Sequence, residues 1–256
     1  KMAKKKRKSP IRKSISIFIT VTCLAVFVYA SYGLFDAVYD YYNNRKVLKE
    51  VQDVFYDNEV EEEARPLGMI RSGFDKLLEM NQDVVGWITV DGTQIDYPIL
   101  QAENNDQYLT RNFEGDESRA GSIFLDYRND ILSEDFNTVV YGHRMKDGSM
   151  FQHITKFLDE DFFREHRTFE YDTLFKSYEA EVFAVYNTVT DFNYIETRFD
   201  SDVEYTALLD EIKDRSKFDA GIDVSPDDRI ITLSTCDYML DPEKGRLVLH
   251  AKLTEK

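Results

Sequence analysis

Outside the apolar N-terminal segment the chain has one cysteine, and its surroundings favour thiol chemistry. Cys236 ends the stretch RIITLSTC (229–236), whose β-branched and apolar residues are typical of a strand. RLVLHAK (246–252) predicts a second strand, and the Asp-Pro and Gly of DYMLDPEKG (237–245) predict a loop between them. If the two strands pair antiparallel, Cys236 lies beside Arg246. A thiol beside a fixed positive charge is a candidate nucleophile.

The second cysteine, Cys23, lies in the apolar segment, which is predicted below to cross the membrane. The two thiols therefore cannot form a disulfide with each other. An unpaired thiol in an extracytoplasmic domain is buried, intermolecular or reactive. The composition alone therefore leaves open a structural role for Cys236.

Four histidines could exchange a proton with the thiol. His143 directly follows the strand-like TVVYG, so it is presented at a strand end. His250 falls within the last predicted strand and His153 within a predicted helix, where packing or surface roles are expected. His166 lies in the charged REHR stretch, where solvation is expected. His143 is therefore the candidate acid/base group, with a structural role as the alternative.

The net charge of −16 conceals a strong asymmetry. Residues 1–13 hold eight Lys or Arg and no acid, so the remainder carries 24 basic against 48 acidic groups, a charge of −24. This excludes nucleic acid as a partner, because phosphate binding needs a basic surface. An acidic domain could favour an amine-bearing partner, although acidity also serves plain solubility.

A membrane anchor is predicted near the N-terminus. Ser14–Phe35 is 22 residues without a charge, close to the roughly 20 that span a bilayer. The basic cluster before it predicts a cytoplasmic N-terminus and an extracellular remainder. Val28-Tyr29-Ala30 loosely fits a signal-peptide cleavage site, which is the alternative. The apolar run continues past that point and favours a retained anchor.

The remainder predicts one mainly β domain. Seven or eight short strands with turn signals favour a barrel or a sandwich, and the helices are too few for a repeating βα pattern. Short helices are expected at 70–80 and 149–160, and an amphipathic helix at 202–217 with Val203, Leu208, Leu209 and Ile212 inward. Pro98 predicts that its strand is an edge strand or contains a bulge. The predicted divisions are a basic cytoplasmic tail (1–13), the anchor (14–35), a helical stalk (36–69) and a catalytic domain (70–256).

Two longer stretches carry a family resemblance. NTVVYGHRMKDGSMF (137–151) and TLSTCDYMLDPEKGR (232–246) resemble the two signature regions of sortases, and within them class B. GSIFLDYRN (121–129), the hairpin WITVDGTQIDYPIL (87–100) and the helix at 202–217 also match that class. The similarity extends from about Ile70 to Lys252. Sortases are membrane-anchored cysteine transpeptidases of Gram-positive bacteria.

The resemblance implies a fold and a set of roles. The fold is a closed β-barrel of about eight strands with N-terminal helices and one long helix between late strands. Cys236 is the expected nucleophile, His143 the acid/base partner and Arg246 the positive group near the scissile carbonyl. The alternative for Arg246 is a surface salt bridge with Glu243 or Asp241.

The resemblance also implies a substrate groove, for which ordinary packing is the alternative at each position. The matching positions are Asn105, Leu109, Tyr141, Thr190, Tyr194, Ile195 and Ser234. Two positions depart from the commonest class B pattern, since Arg144 follows His143 and Asp237 follows Cys236. Either departure could shift substrate preference, but neither removes a catalytic group.

The expected function is cleavage of a C-terminal sorting motif, NPxTN-like or related, through a thioacyl-enzyme. Transfer to a peptidoglycan or lipid-linked cell-wall precursor amine would follow. The alternatives are a pilin-polymerising sortase, a peptide-releasing cysteine hydrolase and a non-catalytic surface binding domain. The expected partners are surface proteins with sorting signals, the cell-wall amine and the membrane. No cofactor or metal is expected, because the acidic residues are scattered and show no ligand spacing.

Overall fold

The computed structural model describes residues 10–58, 69–133, 135–236, 240–241 and 243–256. The α-helices are α1 (Pro10–Asn58), α2 (Phe74–Met80), α3 (Glu160–Glu165) and α4 (Asp202–Arg215). Two 3-10 helices span Gln107–Leu109 and Phe151–Leu158. The strands are β1 (Val84–Thr89), β2 (Asp96–Leu100), β3 (Ile123–Leu125), β4 (Asn137–Tyr141), β5 (Thr168–Thr173), β6 (Ser177–Val189), β7 (Arg229–Cys236) and β8 (Gly245–Glu255).

The strands close into a barrel in the order β1-β2-β3-β4-β7-β8-β6-β5. The pairs β2/β3 and β4/β7 are parallel, and the other pairs are antiparallel. The closed eight-stranded barrel confirms the fold that the resemblance implies. β7 lies between β4 and β8, so the strand that ends in Cys236 has a neighbour on each side.

The expectation that Pro98 marks an edge strand or a bulge in its own strand is wrong, although the β1/β2 pairing does shift register on β1, between Val84 and Gly86. β2 has neighbours on both sides, and Pro98 lies in register opposite Trp87 of β1. The pairing of β2 with β3 involves Ile99 and Leu100. The missing N–H of Pro98 therefore lies just outside that pairing and removes no hydrogen bond from it.

The helix expected at 149–160 is the 3-10 helix Phe151–Leu158, and the separate helix α3 follows it. The 3-10 helix ends at Leu158, and Asp159 then adopts an extended backbone as the N-cap of α3. The Asp159 carboxylate accepts a hydrogen bond from the Phe162 N–H at 3.1 Å. Asp at an N-cap starts a new helix rather than continuing the old one.

On α4, Leu208, Leu209 and Ile212 are buried as expected, but the inward placement of Val203 is wrong, because its side chain is 78% exposed. The buried face runs from Tyr205 at helical spacing, and Val203 lies off that face.

The last turns of α1 pack against the barrel. Val51 and Phe55 are buried, and the Phe55 ring stacks on Trp87 of β1 with centroids 4.1 Å apart. Phe74 of α2 meets Phe55 edge-on at 5.3 Å. Residues 44–58 therefore belong to the same compact unit as the barrel.

The N-terminal part of α1 forms a separate compact unit that ends at Asn43. Its apolar side chains, such as Phe18, Phe27 and Leu34, are more than half exposed. The helix is long and apolar enough to cross a membrane, with a mean hydropathy of 2.0 in its most apolar window. It is therefore a candidate membrane anchor.

Candidate active site

Arg246, Cys236 and His143 lie at the same end of three adjacent strands. Cys236 ends β7 and is paired directly with Arg246 on β8. On the other side of β7, Tyr141 of β4 is paired with Ser234. His143 and Cys236 each lie two residues beyond that pair, at the same end of the two parallel strands.

The backbone at His143 is fixed by close packing. The Gly142 N–H donates to the Ser234 carbonyl at 3.2 Å, which continues the β4/β7 pairing past the end of β4. A Cβ on Gly142 would lie 2.4 Å from a methyl of Ile123 and 2.8 Å from the Phe151 ring. The Phe151 N–H in turn donates to the His143 carbonyl at 2.9 Å. Glycine at 142 lets the chain pass this contact and present the imidazole.

The guanidinium of Arg246 is oriented by backbone carbonyls. Its Nη1 donates to the Glu243 carbonyl at 3.1 Å and to the Gly245 carbonyl at 2.8 Å. Among the residues that the structure describes, Arg246 forms no ion pair with the Glu243 or Asp241 carboxylates. Asp241 instead accepts from the backbone N–H groups of Glu243 and Lys244, at 2.9 and 2.7 Å. The surface salt bridge considered for Arg246 is therefore absent from this part of the chain.

The buried carboxylate of Asp126 connects three of the predicted groove residues. It accepts from the Asn105 amide at 3.1 Å, from the Tyr141 hydroxyl at 2.9 Å and from Arg128 in bidentate fashion at 2.8 and 2.9 Å. Arg128 also donates to the Ile195 carbonyl at 2.7 Å. Asn105 and Tyr141 are thus hydrogen-bonded to Asp126 directly, and Ile195 is linked to Asp126 through Arg128.

The surroundings of Asp126 and Tyr141 shift the pKa of both groups. Burial alone would raise the pKa of the Asp126 carboxyl, but hydrogen bonds from Arg128 and Tyr141 outweigh burial and lower it. Burial and the adjacent Asp126 carboxylate raise the pKa of the Tyr141 phenol, so it remains a hydrogen-bond donor.

The remaining predicted groove residues differ in exposure. Tyr194 and Ser234 are 3% and 2% exposed, and their hydroxyl oxygens are 2.9 Å apart. They therefore lie beneath the surface next to the end of β7. Leu109 is 37% exposed, and Thr190 is exposed and donates its N–H to the Lys244 carbonyl at 3.1 Å. This bond joins the segment after β6 to the loop between β7 and β8.

Of the two departures from the class B pattern, Arg144 forms a β-bridge with Met150. Asp237 lies outside the described residues, as do Tyr238, Met239 and Pro242 of the loop between β7 and β8. Within the described ranges, no group of three or more His, Cys, Asp and Glu residues could hold a metal ion.

Residue-by-residue reasoning from the sequence missed Asp126 and Arg128. The available signal was weak, since Asp126 is a polar residue directly after the apolar strand GSIFL. Its contacts come from residues 21 positions earlier and 15 positions later, and Arg128 reaches a carbonyl 67 positions away. Such long-range contacts cannot be read from local spacing.

Comparison with known proteins identifies the family. Residues 88–254 match the Sortase domain family. The chain belongs to the sortases. A sortase B from Listeria monocytogenes is 42% identical over 96% of this chain and 99% of its own length. A crystal structure of sortase B from B. anthracis aligns with a TM-score of 0.78 at 52% identity, covering 86% of this chain and all of that one. A Staphylococcus aureus sortase B–substrate complex aligns with a TM-score of 0.77 at 35% identity, covering 83% of this chain and 97% of that one.

These relatives confirm the class B resemblance. The protein is thus a cysteine transpeptidase that acts on sorting-signal substrates and peptidoglycan amines. The long apolar N-terminal helix fits the membrane anchoring of a surface sortase.

Proposed function

We propose that Cys236, His143 and Arg246 carry out the transpeptidation in this sortase. The observation that supports this assignment is that the three residues lie at one end of the adjacent strands β8, β7 and β4, with Cys236 paired directly with Arg246. The thiolate is the nucleophilic form of cysteine.

The first half of the reaction forms a thioacyl-enzyme. The Cys236 thiolate attacks the backbone carbonyl at the scissile bond of the sorting motif, and Arg246 donates hydrogen bonds to the developing oxyanion. His143, as imidazolium, gives its proton to the nitrogen of the departing C-terminal fragment. The C–N bond breaks, and the acyl group remains on the sulfur as a thioester.

The second half resolves the thioester. Neutral His143 accepts a proton from an incoming cell-wall amine, whose nitrogen attacks the thioester carbonyl. The C–S bond breaks, the thiolate is restored, and a new amide joins the surface protein to the peptidoglycan or lipid-linked precursor. Water in place of the amine gives hydrolysis as the slow side reaction.

The sorting motif is proposed to be NPxTN-like or related. Its peptide would lie in a groove bordered by Asn105, Leu109, Tyr141, Thr190 and Ile195, while Tyr194 and Ser234 would form the layer beneath. The Asp126 network supports this assignment, because it holds three of these residues in fixed relative positions. Exposed Leu109 supplies an apolar contact.

The protein is proposed to lie in the cell membrane with its N-terminus in the cytoplasm and its catalytic domain outside. The basic residues 1–13 would form the tail, 14–35 the anchor, 36–69 a stalk whose residues 44–58 pack on the barrel, and 70–256 the catalytic domain. The apolar α1 supports the anchor, and the basic residues before it support the orientation. This arrangement brings Cys236 to the side of the membrane where cell-wall amines occur.

A transfer assay tests the assignment. The full chain in detergent would be incubated with a peptide containing an NPxTN-like motif and an added amine, and both transfer and hydrolysis products would be quantified. Cys236→Ala should abolish both products while leaving the circular dichroism spectrum unchanged. Cys23→Ala is the matched control, because Cys23 is an exposed thiol of the apolar α1, and it should retain activity. Normal transfer by Cys236→Ala would refute the assignment.

A further inference from the structure

The imidazole of His143 has a defined hydrogen-bond partner. Its Nε2 lies 2.7 Å from the Leu109 carbonyl oxygen. A carbonyl only accepts, so the proton of this bond must reside on Nε2. In the neutral imidazole the unprotonated nitrogen is then Nδ1, and Nδ1 is the atom at which a proton can be gained and lost.

The Leu109 carbonyl belongs to a well-anchored turn. It ends the 3-10 helix Gln107–Leu109, whose Tyr108 is buried and donates its hydroxyl to Asp83 at 2.6 Å. The Tyr108 carbonyl accepts from the Ser122 N–H at 2.9 Å. The acceptor that faces His143 is therefore held by the core on one side and by the start of β3 on the other.

Gly121 packs closely against this turn. A Cβ at 121 would lie 2.6 Å from both the Leu109 and the Tyr108 carbonyl oxygens, distances that real Cβ atoms do not tolerate. Gly121 also has a φ of +57°, in the left-handed region that favours glycine. Both opposing atoms belong to the backbone, so a side chain at 121 must displace the turn itself.

We propose that the Leu109 carbonyl is a positioning group for His143 and that Gly121 sets the location of this carbonyl. The Leu109 carbonyl keeps the proton on Nε2 and the ring in one orientation, so that Nδ1 exchanges the proton with the substrate nitrogen. This inference rests on the proposed acid/base role of His143 and adds to it a nitrogen assignment and a glycine remote from the thiol.

Gly115 provides a matched control within the same connection between β2 and β3. It has a φ of +85°, yet a Cβ there would meet nothing within 4 Å. Gly115→Ala and Gly121→Ala thus both place a side chain at a positive φ, and the contact with the Leu109 carbonyl is specific to Gly121→Ala. The difference between the two variants isolates the effect of that carbonyl.

The experiment measures kcat, KM and the pH profile of transfer for the full chain in detergent. Gly121→Ala should lower kcat by about 10- to 100-fold, as expected for a misplaced catalytic group, and alter the pH profile. Gly115→Ala should stay within about twofold of the wild type. Equal kcat values and pH profiles for the two variants, with an active wild type, would overturn this inference and leave the proposed function intact. An inactive wild type would instead count against the proposed function.

A measurement on the unmodified protein keeps the test decisive if Gly121→Ala fails to fold. Nitrogen-15 NMR of the histidine side chains reports which ring nitrogen carries the proton. Above the pH at which His143 titrates, the wild type should show the Nε2–H tautomer, and the Nε2 proton should exchange slowly with solvent. A predominant Nδ1–H tautomer at His143 would overturn the inference without any variant.

Discussion

Cys236 and Arg246 are directly opposite each other on β7 and β8, at the end of the barrel where the two strands are joined by the 237–245 loop. Their separation is therefore set by backbone pairing and not by the conformation of the loop. Residues directly opposite in an antiparallel pair project to the same face with Cβ atoms about 5 Å apart.

Replacing Arg246 by lysine should reduce the rate of thioacyl formation by about 10²- to 10³-fold, the range for losing one oxyanion-stabilising group. Lysine keeps the positive charge but lacks the planar guanidinium, which donates to the carbonyls of Glu243 and Gly245. Single-turnover release of the C-terminal peptide fragment measures this step directly.

The control for Arg246→Lys is Lys244→Ala. Lys244 is an exposed cation of the same loop, paired with Asp191 at 2.9 Å. Its loss should leave the rate of peptide release nearly unchanged, since exposed ion pairs contribute little. Full activity of Arg246→Lys would show that a positive charge alone suffices and that the planar guanidinium is unnecessary.

Asp126→Asn should weaken both the fold and the groove. The substitution removes the carboxylate that receives Arg128, Tyr141 and Asn105. The expected loss is roughly 3 kcal/mol in the free energy of unfolding, the lower end for a broken buried pair because Arg128 is 30% exposed. Transfer assays should show an increase in KM, since the groove residues lose their common anchor.

The pH dependence of Asp126→Asn has a defined sign. The pKa of the Asp126 carboxyl is lowered in the folded state, so its stabilisation is present above the unfolded value of about 3.9 and is lost as the pH falls below it. The stability difference between wild type and Asp126→Asn should therefore shrink on acidification below about pH 4. Asp210→Asn, at an exposed position on α4, should show no such effect, and a difference independent of pH would contradict the ion-pair interpretation.

The order of elements near Cys236 was predictable because local patterns specify it. Alternating apolar residues around Asp91-Gly92 predict a hairpin, and β-branched runs predict β7 and β8 with Cys236 opposite Arg246. The pairing of β4 with β7, which brings His143 to Cys236, joins strands separated by almost ninety residues. Residue patterns carry no such information, and the family resemblance supplied it.

Other features were unpredictable because tertiary contacts determine them. The division at Asp159 depends on an N-cap competing with continuation of the preceding helix. The network around Asp126 depends on Asn105, Tyr141 and Ile195 converging from distant segments. The role of Gly121 requires knowing which carbonyls lie behind it.

The buried His250 should make stability sensitive to mild acid. Its Nε2 is 2.8 Å from the Tyr186 hydroxyl, and its Nδ1 is 2.8 Å from the Thr232 hydroxyl. Thr232 donates its own proton to Asn137 at 2.7 Å, so Nδ1 must donate to Thr232 and Nε2 must accept from Tyr186. The neutral imidazole satisfies this chain of hydrogen bonds. Protonation of Nε2 would remove the acceptor for the Tyr186 hydroxyl and break the chain.

Burial lowers the pKa of His250 to about 3, whereas an unfolded histidine titrates near 6.5. Between these values the unfolded state binds more protons, so the free energy of unfolding falls as the pH decreases, by up to about 1.4 kcal/mol per pH unit. His250→Gln should lack this contribution, and urea unfolding between pH 7 and 5 measures the difference in slope. His166→Gln, at a partly exposed histidine, serves as the control. Identical slopes for the wild type and His250→Gln would exclude a neutral buried histidine.

The contact between Phe55 and Trp87 should account for much of the coupling between the end of α1 and the barrel. Phe55 is 3% exposed, stacks on Trp87 at 4.1 Å with an interplanar angle of 5°, and meets Phe74 edge-on. Phe55→Ala removes this ring and leaves a cavity, at an expected cost of about 3–5 kcal/mol. For a domain of this size the midpoint of thermal unfolding should fall by roughly 10 °C.

Limited proteolysis of the same variant locates the effect. In Phe55→Ala the end of α1 loses its principal contact with β1, so cleavage within residues 44–58 should become faster while the barrel strands stay protected. Asp57→Ala changes an exposed neighbour on the same helix and should alter neither the unfolding midpoint nor the cleavage rate. Removing a buried ring from a packed contact costs stability. If Phe55→Ala and Asp57→Ala unfolded at the same temperature, the last turns of α1 would therefore contribute nothing to the core.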